Sequence, residues 1–131
     1  MYYILDENNE PVKTDRKGCA AWTEVQRAKR WGGSQLSVKC TNIVDETLTL
    51  SENIANRVLG ESTVQVSTVF LRIDHGFSTN NPPDYKPILW ETMVFGGKYD
   101  QSQWRYTSHA AAVAGHARVV RALQAGLNPK E

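Results

Sequence analysis

Eight of the twelve aromatic residues fall between Phe70 and Tyr106, and Arg72, Asp74, His75, Glu91 and Arg105 share that window. Rings supply stacking faces and guanidinium groups supply bidentate contacts to phosphate, so the mixture suits a planar, anionic, nucleotide-like ligand. Phe95 stands beside Gly96 and Gly97, where the missing side chains let a ligand approach the backbone. Phe70 and Trp90 read instead as core residues of strands. Arg72 and Glu91 each interrupt an otherwise apolar run, and a charge buried there requires a partner. Two outcomes stay open for Arg72: a salt bridge to Glu91 across paired strands, or an arginine turned to a ligand.

Catalytic constellations are weaker. Asp74 and His75 are adjacent, and neighbours on a strand point to opposite faces, so spacing alone makes no acid and base dyad of them. His109 and His116 lie on one helix pattern without a third ligand at metal spacing. Gly96, Gly97 and Lys98 lack the first glycine and the Ser or Thr of a phosphate loop, and no Ser or Cys sits in a nucleophile elbow. Cys19 and Cys40 form neither a ligand pair nor a disulfide framework. The expectation is binding without turnover, with no catalytic residue, no metal and no cofactor.

The elements that must position these residues are short. The chain of 131 residues reads as a single domain over 1–131. Its 15 basic and 14 acidic residues leave a net charge of +1, which disfavours an electrostatic nucleic-acid binder. No apolar run reaches the length of a membrane span and no leader pattern opens the chain, so a cytoplasmic protein is expected. Two apolar runs around Asp6-Glu7-Asn8-Asn9 predict an N-terminal hairpin, and Thr14 or Asp15 caps a helix whose stripe is Ala21, Val25 and Ala28. That helix is locally basic, carrying Arg16, Lys17 and Arg27.

Residues 34 to 61 carry the weakest pattern: Leu36, Val38 and Cys40 alternate as one strand, and the rest stays open. Residues 62–73 and 87–95 predict the two central strands, paired antiparallel, with a polar loop after Gly97 that carries Tyr99, Trp104, Arg105 and Tyr106. Thr107 or Ser108 caps a last helix whose stripe, Val113, Ala117, Val120, Leu123 and Leu127, should face the sheet. The predicted fold class is α+β: a central antiparallel sheet with an N-terminal hairpin and flanking N- and C-terminal helices.

The segments VSTVFLRIDHGF (66 to 77), PILWETMVFGG (87 to 97) and WRYTSHAAAVAGH (104 to 116) together resemble a family of small bacteriophage proteins, the Thoeris anti-defence proteins. The resemblance implies a sponge that holds cyclic ADP-ribose isomers made by TIR enzymes, and in some cases cyclic oligonucleotides, without cleaving them. It also implies a homodimer or higher homo-oligomer acting in the host cytoplasm. Carried onto this chain, it makes Phe95 the base-stacking ring and Arg27, Arg72 and Arg105 the phosphate ligands, with Glu91, Gly96 and His75 lining the site. Two departures stand out: many members carry glycine where this chain has Arg72, and the stretch between Trp31 and Ser62 is longer than usual. The competing expectation is a protein-binding inhibitor of a host defence complex, resembling anti-CRISPR proteins, anchored by Trp31, Tyr99 and Trp104. An enzyme using His75 or His109 as base comes third.

Overall fold

The computed structural model describes residues 2–29, 33–44, 63–74 and 85–130. His75, Trp31 and most of the unpatterned stretch lie outside them. The expected hairpin forms from Tyr2–Leu5 (β1) and Pro11–Thr14 (β2), and Oδ1 of Asp6 closes its turn by accepting from the amides of Asn8 and Glu10. Asp15 caps α1 (Arg16–Arg27), its carboxylate accepting from Gly18 N at 2.6 Å. Four further strands follow: β3 (Ser37–Val44), β4 (Thr63–Phe70), β5 (Trp90–Phe95) and β6 (Gln103–Tyr106). Ser108 caps the closing helix α2 (His109–Gln124) through Ala111 N. The result is an α+β fold of two sheets, the hairpin and a four-stranded antiparallel sheet of order β3-β4-β5-β6, with an isolated bridge between Tyr2 and Ile73 linking the hairpin to the chain just past β4. Among the described residues no helix is long and apolar enough to cross a membrane.

Alternation along the strands turns Val66, Thr68, Phe70, Trp90, Thr92 and Val94 toward α2, where they are buried. Their intervening neighbours Val69, Glu91, Met93 and Phe95 take the opposite face. The core on the helix side is in two parts. Leu5, Phe70, Leu89, Trp90 and Ala112 form one cluster, with Tyr3, Trp22, Val38 and Tyr106 packed around it. Ile43, Val66, Val94 and Val119 form the other, joined by Tyr99, Trp104 and Leu123.

A polar seam divides them. His116, 1% exposed, meets the Thr68 hydroxyl through Nδ1 at 2.7 Å and the Thr41 hydroxyl through Nε2 at 2.8 Å, and Thr68 is bonded in turn to Thr92. Four polar side chains from α2, β3, β4 and β5 thus satisfy one another, with Thr68, Thr92 and His116 buried and Thr41 half-buried at the edge of the seam.

Several expectations need correction. The buried face of α1 is Cys19, Thr23 and Gln26, whereas Val25 is 58% exposed. Thr23 donates to the Cys19 carbonyl and Oε1 of Gln26 accepts from Gln35 N, so internal hydrogen bonds let polar residues take the inward face that hydrophobicity assigned elsewhere. On α2 the inward stripe is Ala112, Gly115, His116 and Val119, and Val113 and Leu127 are exposed. Close approach decides this, because the Tyr106 ring lies where a Cβ on Gly115 would stand. The stretch expected as a polar loop holds β6, whose Trp104 and Tyr106 pack inward while Gln103 and Arg105 are exposed. The first central strand ends at Phe70 and the second begins at Trp90, because Arg72 turns into the left-handed region at φ 69°.

Gly115→Ala should cost about 1–3 kcal/mol in urea unfolding, since the added methyl displaces the half-buried Tyr106 ring that packs on the core. Burial, then the charge of Lys39, holds the His116 imidazole below its ordinary 6.5. The unfolded chain therefore binds the extra proton first, and stability falls as pH drops through the window just below 6.5. Urea midpoints at pH 7.5 and pH 5 should show that fall, and His116→Gln should shrink it.

Candidate functional site

The helix α1 separates two concave regions. On one flank Arg16, Ala20, Thr23, Glu24 and Arg27 form a single stripe, and Tyr2 and Arg72 face it to make a groove of about 250 Å³. Among the described residues, three arginines thus line this groove against one acid, Glu24. Arg16 and Arg27 stand three helical turns apart, so the groove runs about 16 Å along the helix.

Arg72 enters it from the end of β4. Its carbonyl accepts from Tyr3 N at 2.8 Å, and Nη1 donates to the Thr23 hydroxyl at 3.3 Å. Thr23 Oγ1 donates onward to the Cys19 carbonyl at 2.8 Å, so one hydroxyl serves both partners. A non-glycine residue at φ 69° is sterically costly and persists only where its surroundings hold it. Here the β1 backbone and α1 do so, and the guanidinium keeps further N–H groups for the groove.

Just beyond Arg72, the carboxylate of Asp74 is 7% exposed and ties down the start of the next segment. It accepts from the Tyr85 hydroxyl at 2.8 and 3.0 Å and from Ile88 N at 2.9 Å. Burial, then the hydrogen bond to Asp74 and its charge, push the Tyr85 phenol up to about 12. Burial, then the charge of Asp74, also raises Tyr3. This is a structural anchor for the Arg72 turn, with the carboxylate committed to the donors of Tyr85 and Ile88.

The second concave region, on the other flank of α1, is a cleft of about 950 Å³ between the hairpin turn and the start of α2. Trp22, Lys29 and His109 line it together with Asp6, Glu7 and Gln35.

The structure divides the residues that the sequence grouped. Arg27 and Arg72 meet in the groove, joined by Arg16, which was noted only as part of a basic helix. Arg105 does not reach them: it lies on the edge strand β6, on the face turned from the helices, and its Nε is 3.0 Å from Glu91 Oε2. The partner of Glu91 is therefore Arg105 and not Arg72, because β5 pairs with β6 at that position while Arg72 lies past the end of β4. Phe95 ends β5 on the same far face, 44% exposed, about 17 Å along the strand from Trp90. Gly96 (φ 89°) and Gly97 (φ 73°) form the turn after it, with Gly96 N donating to Asp100. His75 is outside the described residues. Among those described, no group of His, Cys, Asp and Glu could hold a metal ion, and His116 is spent in the core seam.

No family model, curated protein or solved structure matches this chain.

Spectrophotometric titration gives a direct check of the Asp74 anchor. One phenol should titrate near 12, and Asp74→Asn should bring it back toward the ordinary 10.0.

Proposed function

We propose that this chain is a phage-encoded anti-defence protein that binds a TIR-generated cyclic ADP-ribose isomer, or a related cyclic nucleotide, and holds it without cleaving it. Its phosphates sit in the groove between α1 and the Arg72 turn, and the protein works as a homodimer or larger homo-oligomer in the host cytoplasm. The observation that carries this reading is Arg72, held at φ 69° and bonded to Thr23 in a groove that Arg16 and Arg27 also line. Arginines gathered around one acid attract phosphate, and a guanidinium oriented before binding loses little entropy on contact. Sequestration requires tight binding and no acid or base at a scissile bond.

Phe95 and Arg105 have no part in this groove, since both occupy the far face of the sheet. That far face favours a second reading, a protein-binding inhibitor, because Phe95 is exposed there beside Met93. The anchors expected for such an inhibitor are differently placed: Tyr99 and Trp104 pack into the core, and Trp31 is outside the described residues.

Thermal shift against ADP-ribose isomers, cyclic di- and trinucleotides and plain nucleotides separates the two, because a ligand of the native state must raise the melting temperature. A cyclic species should raise it, and mass spectrometry of the heated complex should recover that species intact. By calorimetry Arg72→Ala should weaken binding by ~1.5 to ~3 kcal/mol, the range for hydrogen bonds to charged groups. Arg105→Ala should leave affinity unchanged. A flat panel with folded protein rejects the sponge, and loss of binding in the Arg105 variant alone rejects the groove.

A further inference from the structure

The cleft on the opposite flank of α1 has a different chemistry from the arginine groove. Its walls include two rings, each held by an edge contact with the core. Trp22 meets Phe70 with centroids 5.6 Å apart at 83°, and His109 meets Trp90 at 6.4 Å and 69°. The rings are placed before any ligand arrives.

The polar rim is equally ordered. Nε2 of Gln35 donates to the Asp6 carbonyl at 2.7 Å and to Oδ1 of Asn9 at 3.0 Å, while Gln35 N donates to Gln26 Oε1 at 2.7 Å. This network orients both amides and leaves Oε1 of Gln35 as an acceptor and Nδ2 of Asn9 as a donor. Asn9 is held at φ 60°, a conformation that asparagine tolerates, so its amide projects from a fixed turn. Among the described residues, two carboxylates, Asp6 and Glu7, stand on the rim against one ammonium, Lys29. That balance opposes a phosphate and accepts a neutral or cationic group.

We propose that this cleft is a second binding site, independent of the arginine groove, for an uncharged or cationic amine-bearing heteroaromatic ring of the nucleobase or nucleoside type. The ring stacks on Trp22. Its ring nitrogen and exocyclic amine take the donor of Asn9 and the acceptor of Gln35, the groups left on two amides that one hydrogen bond joins.

Adenosine and cytidine are the probes, followed by calorimetry and tryptophan fluorescence on the whole chain. Binding of at least one is expected, with quenching of Trp22 and no competition from pyrophosphate, which belongs in the arginine groove. Arg72→Ala should bind the same nucleoside as the parent does. Trp22→Ala disturbs packing on Phe70, so Asn9→Gly is the sharper variant: glycine accepts the same φ and removes only the amide. It should keep the melting temperature and weaken nucleoside binding about five- to tenfold. Failure of both nucleosides to bind, displacement by pyrophosphate, or unchanged affinity in Asn9→Gly would overturn the assignment. None of these outcomes bears on whether the groove binds a cyclic nucleotide.

Discussion

The imidazole of His116 is the point on which the rest of the fold hangs. A histidine buried in an apolar core costs free energy unless both ring nitrogens find partners, and here Thr68 and Thr41 supply them. Those threonines belong to adjacent strands, so satisfying the ring sets the rotation of α2 and its position along the sheet together. Any other rotation would leave hydroxyls and a ring nitrogen unpaired between two apolar clusters. With α2 placed in this way, Gly115 comes against Tyr106 and Val119 against Val66 and Val94. The helix therefore covers one face of all four strands.

Both concave regions derive from that placement at one remove. The cluster of Leu5, Phe70, Leu89, Trp90 and Ala112 lies at the end of the sheet where β4 finishes, and the hairpin and α1 dock onto it through Leu5, Tyr3 and Trp22. α1 then stands off from the sheet and is not laid along it, which leaves open space on each of its flanks. The two spaces differ in charge because opposite sides of one helix face them. Arg16, Thr23 and Arg27 share a side, and Trp22 points to another, with Lys29 following just past the end of the helix.

Strain and charge coincide at Arg72. The strand cannot continue past Phe70 because the chain must turn to present a carbonyl to Tyr3 and a carboxylate to Tyr85 and Ile88. Glycine would make that turn at lower cost. An arginine there gives up stability and gains a guanidinium whose direction is set by Thr23. The salt bridge of Arg105 with Glu91 is the contrasting case, an exposed cross-strand pair whose contribution is local.

The residue types alone determined the hairpin, each helix cap to within two neighbouring residues, and the two central strands, because capping, turn chemistry and alternation act over a few neighbouring residues. Phe70 and Trp90 were legible as core for that reason, and Arg72 as a candidate anion ligand from its chemistry, whereas Arg27 entered through the family resemblance. The inward faces of the helices were not legible. Hydrophobicity favoured Val25 and Val113, whereas the structure buries Thr23, Gln26 and His116, whose polarity is cancelled by partners 9 to 75 residues away in the chain or by the helix itself. β6 was hidden in the same manner, since an edge strand of four residues shows its pattern only beside β5. Composition brought Phe95, Arg105 and Arg72 into one imagined site, and only the pairing of strands could separate them: pleating and register decide the face and the end at which a side chain emerges, and both are set by contacts remote in sequence.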